Sequence, residues 1–228
     1  TIDGLPATDF VVTSSGATFT PITPFSQGAH VVTYAVSDAS GNTGSVTARF
    51  FVDSVLPVVT LSPADTSIIT TNRPLLRASF SDPDPSSSLD LSTFHAELNA
   101  QDISSSFTVG ANEATFILNA PLPDQQFQLT ARIFDRAGNQ SASASSTFTL
   151  DTRPPVLTIV SPSQNATLET TTPHFEVSFA DSPGSGIQLS SFRALVDQVD
   201  LTAEFNVTGS GATWDTPASA GLSAGGHS

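Results

Sequence analysis

The sequence repeats itself at the length of a small domain. Phe50-Phe51-Val52-Asp53-Ser54-Val55-Leu56-Pro57 returns 98 positions later as Phe148-Thr149-Leu150-Asp151-Thr152-Arg153-Pro154-Pro155. Asp38-Ala39-Ser40-Gly41-Asn42 returns as Asp135-Arg136-Ala137-Gly138-Asn139, and Leu91-Ser92-Thr93-Phe94 as Leu189-Ser190-Ser191-Phe192. Thr18-Phe19, Thr115-Phe116 and Thr213-Trp214 are three copies of one pair of positions. Solenoid units are shorter than this, so the period marks whole domains in tandem. It divides the chain into 1–53, 54–151 and 152–228. The middle copy is expected to be complete. The first is expected to lack its opening strands and the third its last two, as in an internal piece of a longer protein. The absence of Met and of an export signal in these residues agrees with that reading.

Within the middle copy the apolar residues alternate. Leu76, Ala78 and Phe80 fall on one face of 75–81, against Arg77 and Ser79 on the other. Phe94, Ala96 and Leu98 repeat the pattern, and copy three keeps both runs as Phe175, Val177, Phe179 and Phe192, Ala194, Val196. Period two is the signature of strands buried on one side. Val58–Ser62, 75–81, 94–98, 103–109, 114–118, 127–134 and 143–150 make seven expected strands. Turn residues separate them: Asn99-Ala100, with Asp3-Gly4 and Asp197-Gln198 in the same place, and Asp135-Arg136-Ala137-Gly138. No helical period appears. Seven short alternating strands in one repeat imply an all-β fold, a Greek-key β-sandwich in tandem copies.

The chain carries sixteen Asp, five Glu, seven Arg and no Lys, for a net charge of −14 and a pI of about 4.2. So acidic a surface disfavours nucleic acid and is repelled by anionic membranes. There is no Cys, which removes disulfides and thiol redox chemistry. No apolar run is long enough to span a bilayer.

A hydrophobic strand ending in Asp-x-x-Gly-Asn, followed by one ending in Val/Leu-Asp-Ser/Thr-x-x-Pro, resembles the bacterial immunoglobulin-like tandem repeats of large secreted and cell-surface proteins of the adhesin or stalk type. The resemblance covers essentially the whole chain and implies seven-stranded Ig-like sandwiches. It also implies an extracellular or cell-surface location, with signal and anchor outside these residues. The antibody-type Cys…Trp…Cys core is absent. Trp214 aligns with Phe19 and Phe116 and reads as a core aromatic.

In such a sandwich the first strand starts at the pole that also holds the second–third and sixth–seventh loops. The linker Asp53-Ser54-Val55-Leu56-Pro57 should therefore meet Asp82-Pro83-Asp84 and the Asp135…Asn139 loop, gathering Asp53, Asp82, Asp84 and Asp135, and at the next linker Asp151 should meet Asp181. Carboxylates gathered with backbone carbonyls suit Ca²⁺, which takes six to eight oxygens. The competing reading is that these aspartates are turn formers and strand-end caps. EF-hand and calcium β-roll spacings are both absent.

The four histidines, His30, His95, His174 and His227, have no zinc-type spacing. His30 and His227 are repeat equivalents and read as structural. No nucleophile elbow, phosphate loop or dinucleotide fingerprint appears, so no catalytic or organic-cofactor site is expected. Three functions fit: a spacer in a surface stalk, a protein- or glycan-binding module of an adhesin, and an accessory module of a secreted hydrolase. The first needs only short Pro-bearing linkers and neighbouring repeats as partners, and is the expectation carried forward.

Overall fold

The computed structural model of the chain describes residues 1–8, 10–182 and 184–227. In the first copy, β1 (Phe10–Val12) and β2 (Ala17–Phe19) form one hairpin. β3 (Gly28–Ser37) and β4 (Thr43–Val52) form a second, paired from Gly28↔Val52 to Ser37↔Thr43 and closed by the Asp38–Asn42 loop.

The middle copy runs β5 (Val58–Ser62), β6 (Ile68–Ile69), β7 (Leu75–Ser81), β8 (Leu89–Leu98), β9 (Gln101–Asp102), β10 (Thr108–Val109), β11 (Glu113–Ile117), β12 (Gln126–Asp135) and β13 (Ala144–Leu150). One sheet has the order β10-β11-β7-β5 and the other β6-β13-β12-β8-β9. The non-sequential neighbours are the Greek-key crossovers of an Ig-like sandwich. The third copy contributes β14 (Val156–Ser161), β15 (His174–Ala180), β16 (Leu195–Val196), β17 (Val199–Asp200), β18 (Asn206–Val207) and β19 (Gly211–Asp215). Its sheet order β14-β15-β19-β18 is that of β5-β7-β11-β10.

By packing density the chain falls into two compact units, which do not coincide with the repeat period. One comprises Thr1–Asp65, Leu75–Leu118 and Gln128–Thr147. It buries Leu76, Ala78 and Phe80 of β7, Phe94, Ala96 and Leu98 of β8, and Leu129, Ala131 and Ile133 of β12. An aromatic ladder runs through it: Phe80–Phe94, Phe94–Phe107 and Phe107–Phe116, with ring centroids 5.9, 5.3 and 5.7 Å apart. Each fully buried Leu or Phe contributes about 1.5–3 kcal/mol. The other unit comprises Thr66–Pro74, Asn119–Phe127 and Phe148–Ser228. There Phe127 stacks on Phe148, and Phe179–Phe192, Phe192–Phe205 and Phe205–Trp214 rebuild the same ladder. Trp214 is buried, whereas its repeat equivalent Phe116 is half-buried.

Two segments differ from the expected strands. Residues 103–109 open with a 3-10 turn, Ser104–Ser106, and only Thr108–Val109 pair. Ser104 is the cause: its N–H and hydroxyl both donate to Asp102 Oδ1, bending the backbone before a ladder can form. In the third copy Phe192 and Ala194 lie outside any strand, and Leu189–Ser191 form a 3-10 turn. The equivalent β8 is held by β12, and the third copy has no counterpart of β12 among the described residues.

Candidate metal site at the linker

Asp53 is the first residue after β4, and it fastens the linker in three directions. Its Oδ1 accepts the N–H of Val55 at 2.9 Å, a turn closed within the linker. Its Oδ2 accepts the N–H of Ser87 at 2.8 Å, in the loop after β7. Its backbone carbonyl accepts the side-chain amide of Asn139 at 3.0 Å, in the loop after β12. Hydrogen bonding from Ser87 holds the Asp53 carboxyl below its usual range, against the opposing effect of burial.

Asp135 closes the loop that carries Asn139. Its Oδ1 accepts the Asn139 N–H at 2.8 Å and its Oδ2 the Asn139 amide at 2.7 Å. Gly138, at φ 94°, takes the left-handed position that the turn requires. Asp135 is buried, at 2% exposure. Asp82 is the first residue after β7, and its Oδ2 accepts the Ser86 hydroxyl at 2.5 Å. Among the described residues its Oδ1, shut off from solvent, has no hydrogen-bond partner.

These three side chains converge: one carboxylate oxygen from each of Asp53, Asp82 and Asp135 lies within 4.8 Å of the others. Three carboxylates so close repel one another, and an oxygen left unpaired inside a protein is costly. A cation relieves both. With oxygen as the sole donor type the set suits a hard ion, Ca²⁺ before Zn²⁺. Asp84 is exposed and is not among the converging three.

The second linker repeats the fastening without the cluster. Asp151 Oδ2 accepts the Ser185 N–H at 2.7 Å and its Oδ1 the Arg153 N–H at 3.3 Å. Ser185 stands 34 positions after Asp151, as Ser87 does after Asp53. The Asp151 carboxyl is likewise lowered, chiefly by Ser185. Asp181 accepts the Gly186 N–H at 2.8 Å, and its carboxylate lies against Gly184, where a larger residue would push it aside. Among the described residues, Asp151 and Asp181 join no group of three potential ligands. Sequence reasoning brought the Asp135…Asn139 loop to the linker but did not single out Ser87 and Ser185 as its partners. The shared 34-residue spacing was the available signal.

Residues 68–152 match the family model described as bacterial Ig-like domain. This segment is a bacterial Ig-like domain. No curated protein matches the chain. Among solved structures, Sidekick-1 immunoglobulin domains 1–5 are similar at 15% identity over 96% of this chain and 46% of that one, with a TM-score of 0.40. The fibronectin(III)-like modules of Clostridium thermocellum CbhA share 13% identity over 69% and 78%, TM-score 0.33. CopC from Methylosinus trichosporium OB3b shares 13% over 42% and 93%, TM-score 0.31. The Ig-like domain thus contains Asp82, Asn139 and Asp135, while Asp53 reaches them from the linker in front of it.

Proposed function

We propose that this chain is a non-catalytic spacer segment of a large exported bacterial surface protein. Each short linker is pinned to the loops of the Ig-like repeat that follows it, and a Ca²⁺ ion held by Asp53, Asp82 and Asp135 stiffens the first. The observation that carries this reading is the recurrence of one fastening at both linkers: Asp53 to Ser87 and Asp151 to Ser185. A linker bound at both its side chain and its carbonyl has lost most of the freedom that would let neighbouring repeats swivel. The unpartnered Asp82 oxygen supports the cation. The match to a bacterial Ig-like domain supports an exported protein.

The test is thermal unfolding of the whole chain in EGTA and then in millimolar Ca²⁺. Binding well above Kd should raise Tm by several degrees. Asp82→Ala should abolish the rise and Asp84→Ala should keep it. No shift in the parent chain would remove the cation and leave a spacer stiffened by hydrogen bonds and proline alone.

A further inference from the structure

Asp3 and His30 in the first copy, and Asp197 and His227 in the third, form one arrangement twice. Asp3 and Asp197 each occupy the first position of a two-residue hairpin turn, at φ 50° and 49°. His30 Nδ1 lies 2.7 Å from Asp3 Oδ2, and its Nε2 lies 2.8 Å from the carbonyl oxygen of Ser26. His227 Nδ1 lies 2.6 Å from Asp197 Oδ2, and its Nε2 lies 2.7 Å from the carbonyl oxygen of Ser223. A carboxylate and a backbone carbonyl only accept hydrogen bonds. Both ring nitrogens must therefore donate, and only the imidazolium does so. In a neutral ring, one nitrogen lone pair would face an oxygen lone pair at hydrogen-bond distance.

The middle copy makes the same join without a titrating group. Asn99, at φ 50°, accepts the Gln128 N–H through its Oδ1 at 2.8 Å, just as Asp3 Oδ1 accepts the Val31 N–H at 2.8 Å. By that register Phe127 stands where His30 stands. We infer that the Asp3–His30 and Asp197–His227 pairs are protonation-dependent clamps. They hold the hairpin turn onto the segment carrying the histidine in mildly acidic medium and loosen as the medium turns alkaline. The middle copy, with Asn99 and Phe127, stays fastened throughout.

Among the described residues, Asp3 is the charged partner of His30. Phe25 and Phe50 pack on the ring at 5.0 and 5.2 Å, and His30 itself is 5% exposed. The Thr1 backbone nitrogen donates to the Thr33 carbonyl. For His227 the charged partner is Asp197, and both histidines are held protonated above their ordinary value, chiefly by those aspartates. A raised histidine contributes its full stability below the unfolded value of 6.5 and loses it as pH rises through the folded value. Asp3 is depressed, so its own contribution is lost only below 3.8. The clamp is therefore tightest between those two limits.

The experiment is NMR on the whole chain. The histidine ring signals are titrated, and Val31 and Gln128 amide exchange are compared from about pH 5.5 to about pH 8.5 after correction for intrinsic rates. We expect His30 and His227 to titrate above 6.5. We expect Val31 protection to fall relative to Gln128 by roughly tenfold across the range. Asp3→Asn with His30→Phe, which copies the middle repeat, should flatten the ratio. A flat ratio in the parent chain, titration at or below 6.5, or a slope that survives in the double variant would each overturn the proposal.

Discussion

Asn42 and Asn139 occupy one position of the repeat and bind their aspartates alike. Asn42 donates its N–H and its amide to Asp38 at 2.9 and 2.8 Å, and Asn139 does so to Asp135 at 2.8 and 2.7 Å. Their surroundings differ. Asp38 is exposed, whereas Asp135 is buried and Asn139 also holds the Asp53 carbonyl. Truncation at 139 strands a buried carboxylate and frees the linker; truncation at 42 exposes groups that water can satisfy. Asn139→Ala should therefore cost about 2–3 kcal/mol in urea unfolding and Asn42→Ala under about 1. Equal costs would show that burial at the linker adds nothing. A second expectation concerns acid. Asp53 and Asp151 are depressed by Ser87 and Ser185, so their contribution holds above 3.8 and is lost as pH falls through their lowered values. Carboxyl titration by NMR should place both below 3.8, and a value above it would remove the hydrogen bonds as the cause.

At the scale of strands and sheets, the core was legible because it is periodic twice over: period two within a strand and a fixed offset between copies. Leu76, Ala78 and Phe80 are buried as alternation requires, and the position pair Phe116 and Trp214 returns as the same rung of two aromatic ladders. Short-range chemistry was less legible. Ser104 bends 103–109 through a bond to its neighbour but one, and β6 is two residues long, too short to leave a pattern. Of the linker cluster, the aspartates could be placed from topology. The Asp135…Asn139 loop could too, but Ser87 could not, because small polar residues in loops look alike until the chain is folded. Ser146 was equally hidden. It is buried at 2% exposure, and its hydroxyl donates to the Pro63 carbonyl at 2.6 Å, 83 residues away in sequence. Ser146→Ala should cost about 1–3 kcal/mol by leaving that carbonyl unsatisfied. Ile133→Ala, at a position with 0% exposure, should cost about 2–5 kcal/mol. Leu157, 60% exposed on β14, should tolerate alanine within about 0.5 kcal/mol. A Leu157 effect as large as that of Ile133 would mean its face is covered in solution.

For the molecule as a whole, a net charge of −14 with no lysine makes self-repulsion a standing opponent of the folded state. Two kinds of ion can relieve it, and they leave different traces. Monovalent salt screens every carboxylate without choosing among them, and its reach shrinks from a Debye length of about 30 Å at 0.01 M to about 10 Å at 0.1 M. Stability should therefore climb gradually with NaCl and level off. A divalent ion seated between Asp53, Asp82 and Asp135 acts by mass action instead, saturating at a concentration set by its Kd. Millimolar CaCl₂ should consequently raise Tm more than NaCl of equal ionic strength, and the excess should vanish in Asp82→Ala while the NaCl response remains. If CaCl₂ and NaCl at matched ionic strength coincide, the aspartates act as diffuse surface charge and as hydrogen-bond acceptors for the linker. Fastening would then rest on Ser87, Asn139 and Ser185 alone, and chelators would leave the chain unchanged.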